Sequence, residues 1–160
     1  MATAETRERP NILITGSPGT GKTTLATSLA EKLGFDHIET HVFDEDRLLD
    51  HIEERMDSES GGVVVDFHGC DFFPKRWFDL VVVLRCDNTV LYDRMMARGY
   101  PAEKITENIE CEIFGSLTDE AREAYDEEVV QELRSETVDQ MNENEERILQ
   151  WAQTWMQERN

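Results

Sequence analysis

Basic side chains are scarce in this chain. Sixteen Lys and Arg face 35 Asp and Glu, which leaves a net charge of −19 on 160 residues. A surface of that sign repels phosphate backbones, so direct nucleic-acid binding is disfavoured. It suits a basic protein partner, or keeps the protein soluble, or reflects salt adaptation; composition does not separate the three. Cysteine is nearly absent: Cys70, Cys86 and Cys111 are odd in number and form no Cys-x-x-Cys pair. That pattern points to no disulfide framework and no zinc site, and to a reducing, intracellular compartment. Long apolar runs are missing too. Leu80–Leu84 is far too short to span a bilayer, and the polar stretch Met1–Pro10 does not read as a signal peptide. There is no internal repeat and no low-complexity tract.

What is present suits one domain with a real core. Hydrophobic residues make up 39% of the chain and charged residues 32%. Residues 1–10 read as a disordered lead-in, and 11–160 as a single domain. Short apolar runs at Asn11–Thr15, Val63–Asp66 and Leu80–Leu84 have the continuous character of strands covered on both faces. Phe35–Glu39 and Val129–Leu133 are two further strand candidates. Between them lie helical patterns. Lys22–Leu33 closes at Gly34, and a helix capped by Asp44 carries Leu48, Leu49, Ile52 and Met56. Asp87 caps a helix ending near Arg98 and Gly99. Pro101 opens one with Ile105, Ile109, Ile113 and Leu117 in phase, and Ser135 starts the last. Strands alternating with helices predict an α/β fold of three layers around a mostly parallel sheet.

The decisive segment is Gly16-Ser17-Pro18-Gly19-Thr20-Gly21-Lys22-Thr23. It fits Gly-x-x-x-x-Gly-Lys-[Ser/Thr] at every fixed position, with a strand entering and a helix leaving. Glycines let the backbone curl with its N–H groups inward, and the helix N-terminus adds partial positive charge. Lys22 then reaches the β- and γ-phosphates of ATP, Thr23 offers its hydroxyl to Mg²⁺, and Thr24 meets the α-phosphate. The competing reading, a chance glycine-rich turn, leaves the flanking strand and helix unexplained.

Asp66 ends a strand, where a P-loop protein places its Walker B carboxylate. The plainer alternative is a strand-end Asp in a turn. His68, two residues on, either orients a water or phosphoryl acceptor or is a polar turn residue. Arg94 and Arg98 share one helix face. Arg98, entering the short segment Gly99–Thr106, suits charge neutralisation on a transferring phosphoryl group. Arg94 is balanced between that role and an ion pair, and Arg85 is the weaker candidate. Trp77, Trp151 and Trp155 read as packing residues. No Asn-Lys-x-Asp segment occurs, so nothing supplies guanine selectivity.

The run Val65-Asp66-Phe67-His68-Gly69-Cys70-Asp71-Phe72-Phe73-Pro74-Lys75-Arg76-Trp77-Phe78 resembles the signature of the nuclear adenylate kinase isoenzyme 6 family, also called the coilin-interacting nuclear ATPase. Leu91-Tyr92-Asp93-Arg94 with Arg98-Gly99-Tyr100, and Asn108-Ile109-Glu110-Cys111-Glu112-Ile113-Phe114, resemble it as well. The resemblance implies an adenylate-kinase-like P-loop NTPase fold. It implies ATP:AMP phosphotransfer together with ATP hydrolysis, using Mg²⁺. The implied ATP contacts are Gly19, Gly21, Lys22, Thr23, Thr24 and Arg98; the implied catalytic set is Lys22, Asp66, His68 and Arg98, with Thr23 and Asp66 at the metal. A short lid falls at about Ala97–Glu107. The family binds a ribosomal protein of the small-subunit platform and supports small-subunit maturation, in nucleus and cytoplasm; a basic ribosomal protein suits the acidic surface.

One departure matters. Where the family carries a long nucleoside-monophosphate-binding insert with an arginine suited to AMP, this chain has only Ile38-Glu39-Thr40-His41-Val42-Phe43. No arginine lies between Lys32 and Arg47. A family lysine before the last helix is also replaced, near Thr137. The expectation is an ATP-binding protein with hydrolytic activity and weak or absent transfer to AMP. A second expectation, of a different class, is an assembly factor whose ATP state gates a ribosomal-protein complex.

Overall fold

The computed structural model describes residues 2–40 and 45–159. Five strands form one sheet: β1 (Ile12–Gly16), β2 (Asp36–Glu39), β3 (Val63–Asp66), β4 (Leu80–Arg85) and β5 (Val130–Arg134). Their order is β2-β3-β1-β4-β5 and every pairing is parallel. β1 is buried at each position and sits between β3 and β4, so its C-terminal end opens into a crevice flanked by two other strand ends. That is where open α/β sheets bind ligands.

The helices are α1 (Lys22–Leu33), α2 (Glu45–Met56), α3 (Asn88–Ala97), α4 (Ala102–Phe114), α5 (Ser116–Ala124) and α6 (Val138–Gln157). Strand side chains alternate between faces. Ile12, Ile14, Val64 and Val82 pack under Leu25, Leu29 and Ile148 of α1 and α6. Leu13, Val65, Val81 and Val83 pack under Leu48, Ile52 and Met56 of α2 and Ala121 of α5. The result is the expected three layers, with Trp77 in the core. The pair α3–α4 stands apart at the strand C-termini around its own small cluster of Leu91, Met95 and Ile105.

Four local expectations need correction or comment. The helix read through Leu117 breaks at Gly115, whose φ of 65° ends α4 and starts α5. Ile113, in phase with the stripe, is exposed, as is its neighbour Phe114. The last helix begins at Val138 and not at Ser135: Thr137 caps it in a reciprocal box with Gln140, while the Ser135 N–H extends the strand by bonding the Arg85 carbonyl. Asp44, the expected cap of α2, lies outside the described residues.

The expectation of a disordered lead-in is also at odds with the structure. Residues 2–10 are docked along the bottom of the sheet. The Arg7 guanidinium, fully buried, donates to Asp79 Oδ2 at 3.1 Å and to the Arg76 carbonyl at 2.7 Å. Asp79 Oδ2 also accepts the Asn11 N–H at 2.8 Å. Burial lowers the Arg7 pKa and raises that of Asp79, each opposed by the other's charge. Removing one member of a buried pair strands the other, which costs about 3–5 kcal/mol. Arg7→Ala should therefore lose stability of that order in urea unfolding, while replacing the exposed neighbour Glu8 by Ala should change little.

Candidate functional site

The loop Gly16–Gly21 leaves β1 and enters α1. Gly19 and Gly21 both have φ of 87°, a region L side chains avoid, and a Cβ on Gly16 would meet Thr20 Oγ1 at 2.7 Å and the Leu84 carbonyl at 2.9 Å. Thr20 Oγ1 donates to the Ser17 carbonyl at 2.7 Å, which tightens the curl. The first N–H groups of α1 then face the crevice, where an anion is stabilised. Lys22 folds back over the loop, its Nζ donating to the Gly16 carbonyl at 2.8 Å. Burial lowers its pKa to about 8; Asp66 opposes the shift and Arg98 adds to it.

Asp66 ends β3 beside the loop. Thr23 Oγ1 donates to its Oδ1 at 3.3 Å. Two hard oxygen donors this close, without a further carboxylate cluster among the described residues, suit a Mg²⁺ ion that takes most of its ligands from phosphates and water. Lys22, Thr23, Thr24, Asp66, His68 and Arg98 line a single cavity of about 460 Å³ with Pro18, Gly19 and Gly21. The eight residues that the family resemblance implies for the nucleotide, its metal and catalysis are thus brought to one place. A second cavity, about 630 Å³, meets the first at Pro18, His68 and Tyr100 and extends along α4 past Lys104, Asn108 and Cys111. The two open beside His68.

Two arginines stand elsewhere. Arg94 donates to the carbonyls of Gly19 at 2.9 Å, Ser135 at 3.0 Å and Glu136 at 2.8 Å, so it ties the loop to the β5–α6 connection. Arg85 donates to Glu112 at 2.6 Å and Glu132 at 3.0 Å. Both act on protein atoms.

Three contributors escaped the sequence reading. Glu112, buried in α4, accepts from Ser17 Oγ at 3.0 Å. His37 Nε2 lies 2.5 Å from Asp66 Oδ2, and Thr40 Oγ1 donates to the Asp66 carbonyl at 2.6 Å. The available signal for His37 was a polar strand, Asp36-His37-Ile38-Glu39, set among apolar ones.

Comparison with known proteins fits this geometry. A family model described as an AAA domain matches residues 33–115. The chain is 59% identical over 171 residues to an adenylate kinase isoenzyme 6 homolog of Caenorhabditis elegans, covering 95% of this chain and 94% of that one. It is 43% identical over 173 residues to the homolog of Dictyostelium discoideum, covering 96% and 98%. Both alignments are longer than the 160 residues here, so the relatives carry positions without a counterpart in this chain. Among solved structures, a gluconokinase from Sinorhizobium meliloti 1021 superposes with a TM-score of 0.60 at 21% identity, over 90% of this chain and 95% of that one. A shikimate kinase from Bacteroides thetaiotaomicron gives 0.57 at 18%, over 89% and 97%. These last two speak for the fold alone. Identity of such depth along nearly all of both chains decides the family: this chain belongs to the adenylate kinase isoenzyme 6 family and has its P-loop fold.

Proposed function

We propose that the protein is an ATP-binding phosphotransferase of the adenylate kinase type with ATPase activity, and that its transfer to AMP is weakened. The observation that carries this reading is the convergence of Lys22, Thr23, Asp66, His68 and Arg98 on one cavity at the end of β1. The relatives' name, adenylate kinase isoenzyme 6 homolog, supports the reaction class.

Phosphoryl transfer asks a protein for positioning and for neutralisation of charge on the phosphoryl oxygens. The loop N–H groups and Lys22 take the β- and γ-phosphates. Arg98 approaches from the α3–α4 side, within the segment 97–107 that serves as lid. Thr23 and Asp66 would hold Mg²⁺, which would supply positive charge to offset that of the phosphates. His68 sits where the two cavities meet and orients the attacking oxygen, from water or from an acceptor entering along α4. The AMP side is the weaker half. The chain lacks residues its relatives carry, and Ile38–Phe43 stands where the family's acceptor-binding insert is expected.

The acidity favours a second reading at the cellular level. A net charge of −19 suits a basic ribosomal protein of the small-subunit platform, with ATP gating that complex during subunit maturation in nucleus and cytoplasm. A pull-down with such a protein should then respond to ATP; indifference to ATP removes the gating role.

The enzymatic reading is tested by measuring phosphate release and ADP formation side by side, with and without AMP. ATP hydrolysis should persist unchanged when AMP is added, and Lys22→Ala should cut it by about 10²–10³-fold. ADP formed from ATP plus AMP far above the hydrolysis rate would show an intact acceptor site. The lysine also makes binding pH-dependent. Its ammonium loses its proton above about pH 8 in the free protein. ADP affinity should therefore be level below that pH and fall by up to about tenfold per unit above it, a slope that Lys22→Ala should abolish in calorimetric titrations.

A further inference from the structure

Behind the metal-facing carboxylate, α1, β2 and β3 each contribute to one polar ladder. Thr23 and Thr27 lie one turn apart on the same face of α1. Thr23 donates to Asp66 Oδ1, as described. Thr27 Oγ1 lies 3.4 Å from His37 Nδ1, and His37 Nε2 lies 2.5 Å from Asp66 Oδ2. Both oxygens of the carboxylate are therefore engaged, one by a threonine and the other by a histidine that a second threonine reaches. The His37 ring is 12% exposed and the Asp66 side chain 6%. Glu39 Oε1 is 3.8 Å from the same Nδ1, beyond hydrogen-bond reach.

The hydrogens follow from the network. The Asp66 carboxylate can only accept, so Nε2 carries a hydrogen and donates to it, while Thr27 Oγ1 meets the other ring nitrogen. Thr40 fixes the same residue from the backbone side through the Asp66 carbonyl. β2 lies parallel to β3 in the register Glu39↔Asp66, which sets His37 two positions earlier and lets its ring reach forward to the carboxylate.

We propose that His37, oriented by Thr27, is a positioning residue for the metal–nucleotide complex. It immobilises Asp66 Oδ2 and so keeps Oδ1 turned to the Thr23 hydroxyl, where the two oxygens together receive a divalent cation carried on a nucleoside diphosphate or triphosphate. The inference rests on the reading of this cavity as a Mg²⁺–nucleotide site. A purely structural histidine would contribute to folding and to nucleotide binding alike, whether or not metal is present. A positioning histidine acts on the metal-dependent part.

The test is a Mg²⁺ titration of ADP binding, followed by calorimetry, with a parallel measurement in EDTA and a circular dichroism check of folding. His37→Leu removes the donor. His37→Gln returns an N–H near the place of Nε2. Thr27→Val removes the hydroxyl that orients the ring. Outer-shell partners of metal ligands are typically worth 10–100-fold in metal affinity, so the half-saturating Mg²⁺ concentration should rise by about tenfold or more in His37→Leu, by about threefold in Thr27→Val, and by about twofold or less in His37→Gln, with affinity in EDTA within about twofold of wild type throughout. Unchanged Mg²⁺ dependence in the folded variants overturns the proposal, as does an equal loss of affinity with and without metal. Should His37→Leu fail to fold, Thr27→Val and His37→Gln decide on the same criteria. A wild-type protein that binds ADP equally with and without Mg²⁺ removes the reading of the site itself; a Mg²⁺-dependent wild type with unaffected variants removes this inference alone.

Discussion

A single buried carboxylate, that of Glu112, holds the working end of the molecule together. It is 4% exposed, and an unpaired charge at such depth is too costly to persist. Its partners come from three directions. Ser17 Oγ of the phosphate loop reaches Oε2, while Arg85 at the end of β4 and the Cys86 N–H reach Oε1. Arg85 also donates to the Glu112 carbonyl at 2.7 Å. The loop's curl is thus set from within by its glycines and fastened from outside by α4. Satisfied networks of this kind rigidify, and partly satisfied ones are expensive, so the loop, the end of β4 and α4 are energetically one unit.

The scarcity of cations gives each one weight, and the structure sorts them by what they touch. Arg7, Arg85 and Arg94 are spent on protein carbonyls and carboxylates. Arg94 is the instructive case. It shares a helix face with Arg98, yet its side chain ends on three main-chain carbonyls, including that of Gly19 in the loop. Arg94 therefore fastens the loop to the β5–α6 connection and offers no charge to the cavity, and Arg98 is left to face it beside Lys22. The depressed pKa of Lys22 follows from the same crowding: burial first, then a neighbouring arginine. A polyphosphate is the group that relieves both.

What could be read in the sequence was local. β1, β3 and β4 announce themselves as unbroken apolar runs because both of their faces are covered. The loop is legible because its glycines answer a backbone need that no distant residue alters. Asp66 is legible by its place at a strand end. The rest depends on partners far along the chain: Arg7 on Asp79, His37 on Asp66, Ser17 on Glu112, separated by 72, 29 and 95 residues. No periodicity encodes such pairs. Ser135 shows a subtler failure. It is a good cap by residue type, but its N–H is taken by β4 and its hydroxyl by the Thr20 carbonyl, so the helix waits for Thr137, whose spacing to Gln140 is the better capping signal. The break at Gly115 is the converse: helical phase ran on through a residue that the backbone used to stop.

The stretch after strand β2 is where the sequence departs from the pattern that its family resemblance implies. The family resemblance places an acceptor-binding insert directly after it, and this chain has few residues there. Within what remains, His37 and Thr40 both turn to Asp66, one to its carboxylate and one to its carbonyl. The polar character of β2 therefore serves the donor side of the site. In phosphoryl transfer, orientation of the second reactant accounts for as much as about 7–11 kcal/mol of barrier. That contribution belongs to whatever holds the acceptor, and it disappears with the acceptor clamp. In the proposed function, charge neutralisation by Lys22, Arg98 and the Thr23–Asp66 pair belongs to the nucleotide side of the cavity and survives the same loss. Shortening the chain after β2 thus bears on the two half-reactions unequally. Under the proposed function it removes the advantage of AMP over water and leaves in place the groups on which hydrolysis would depend.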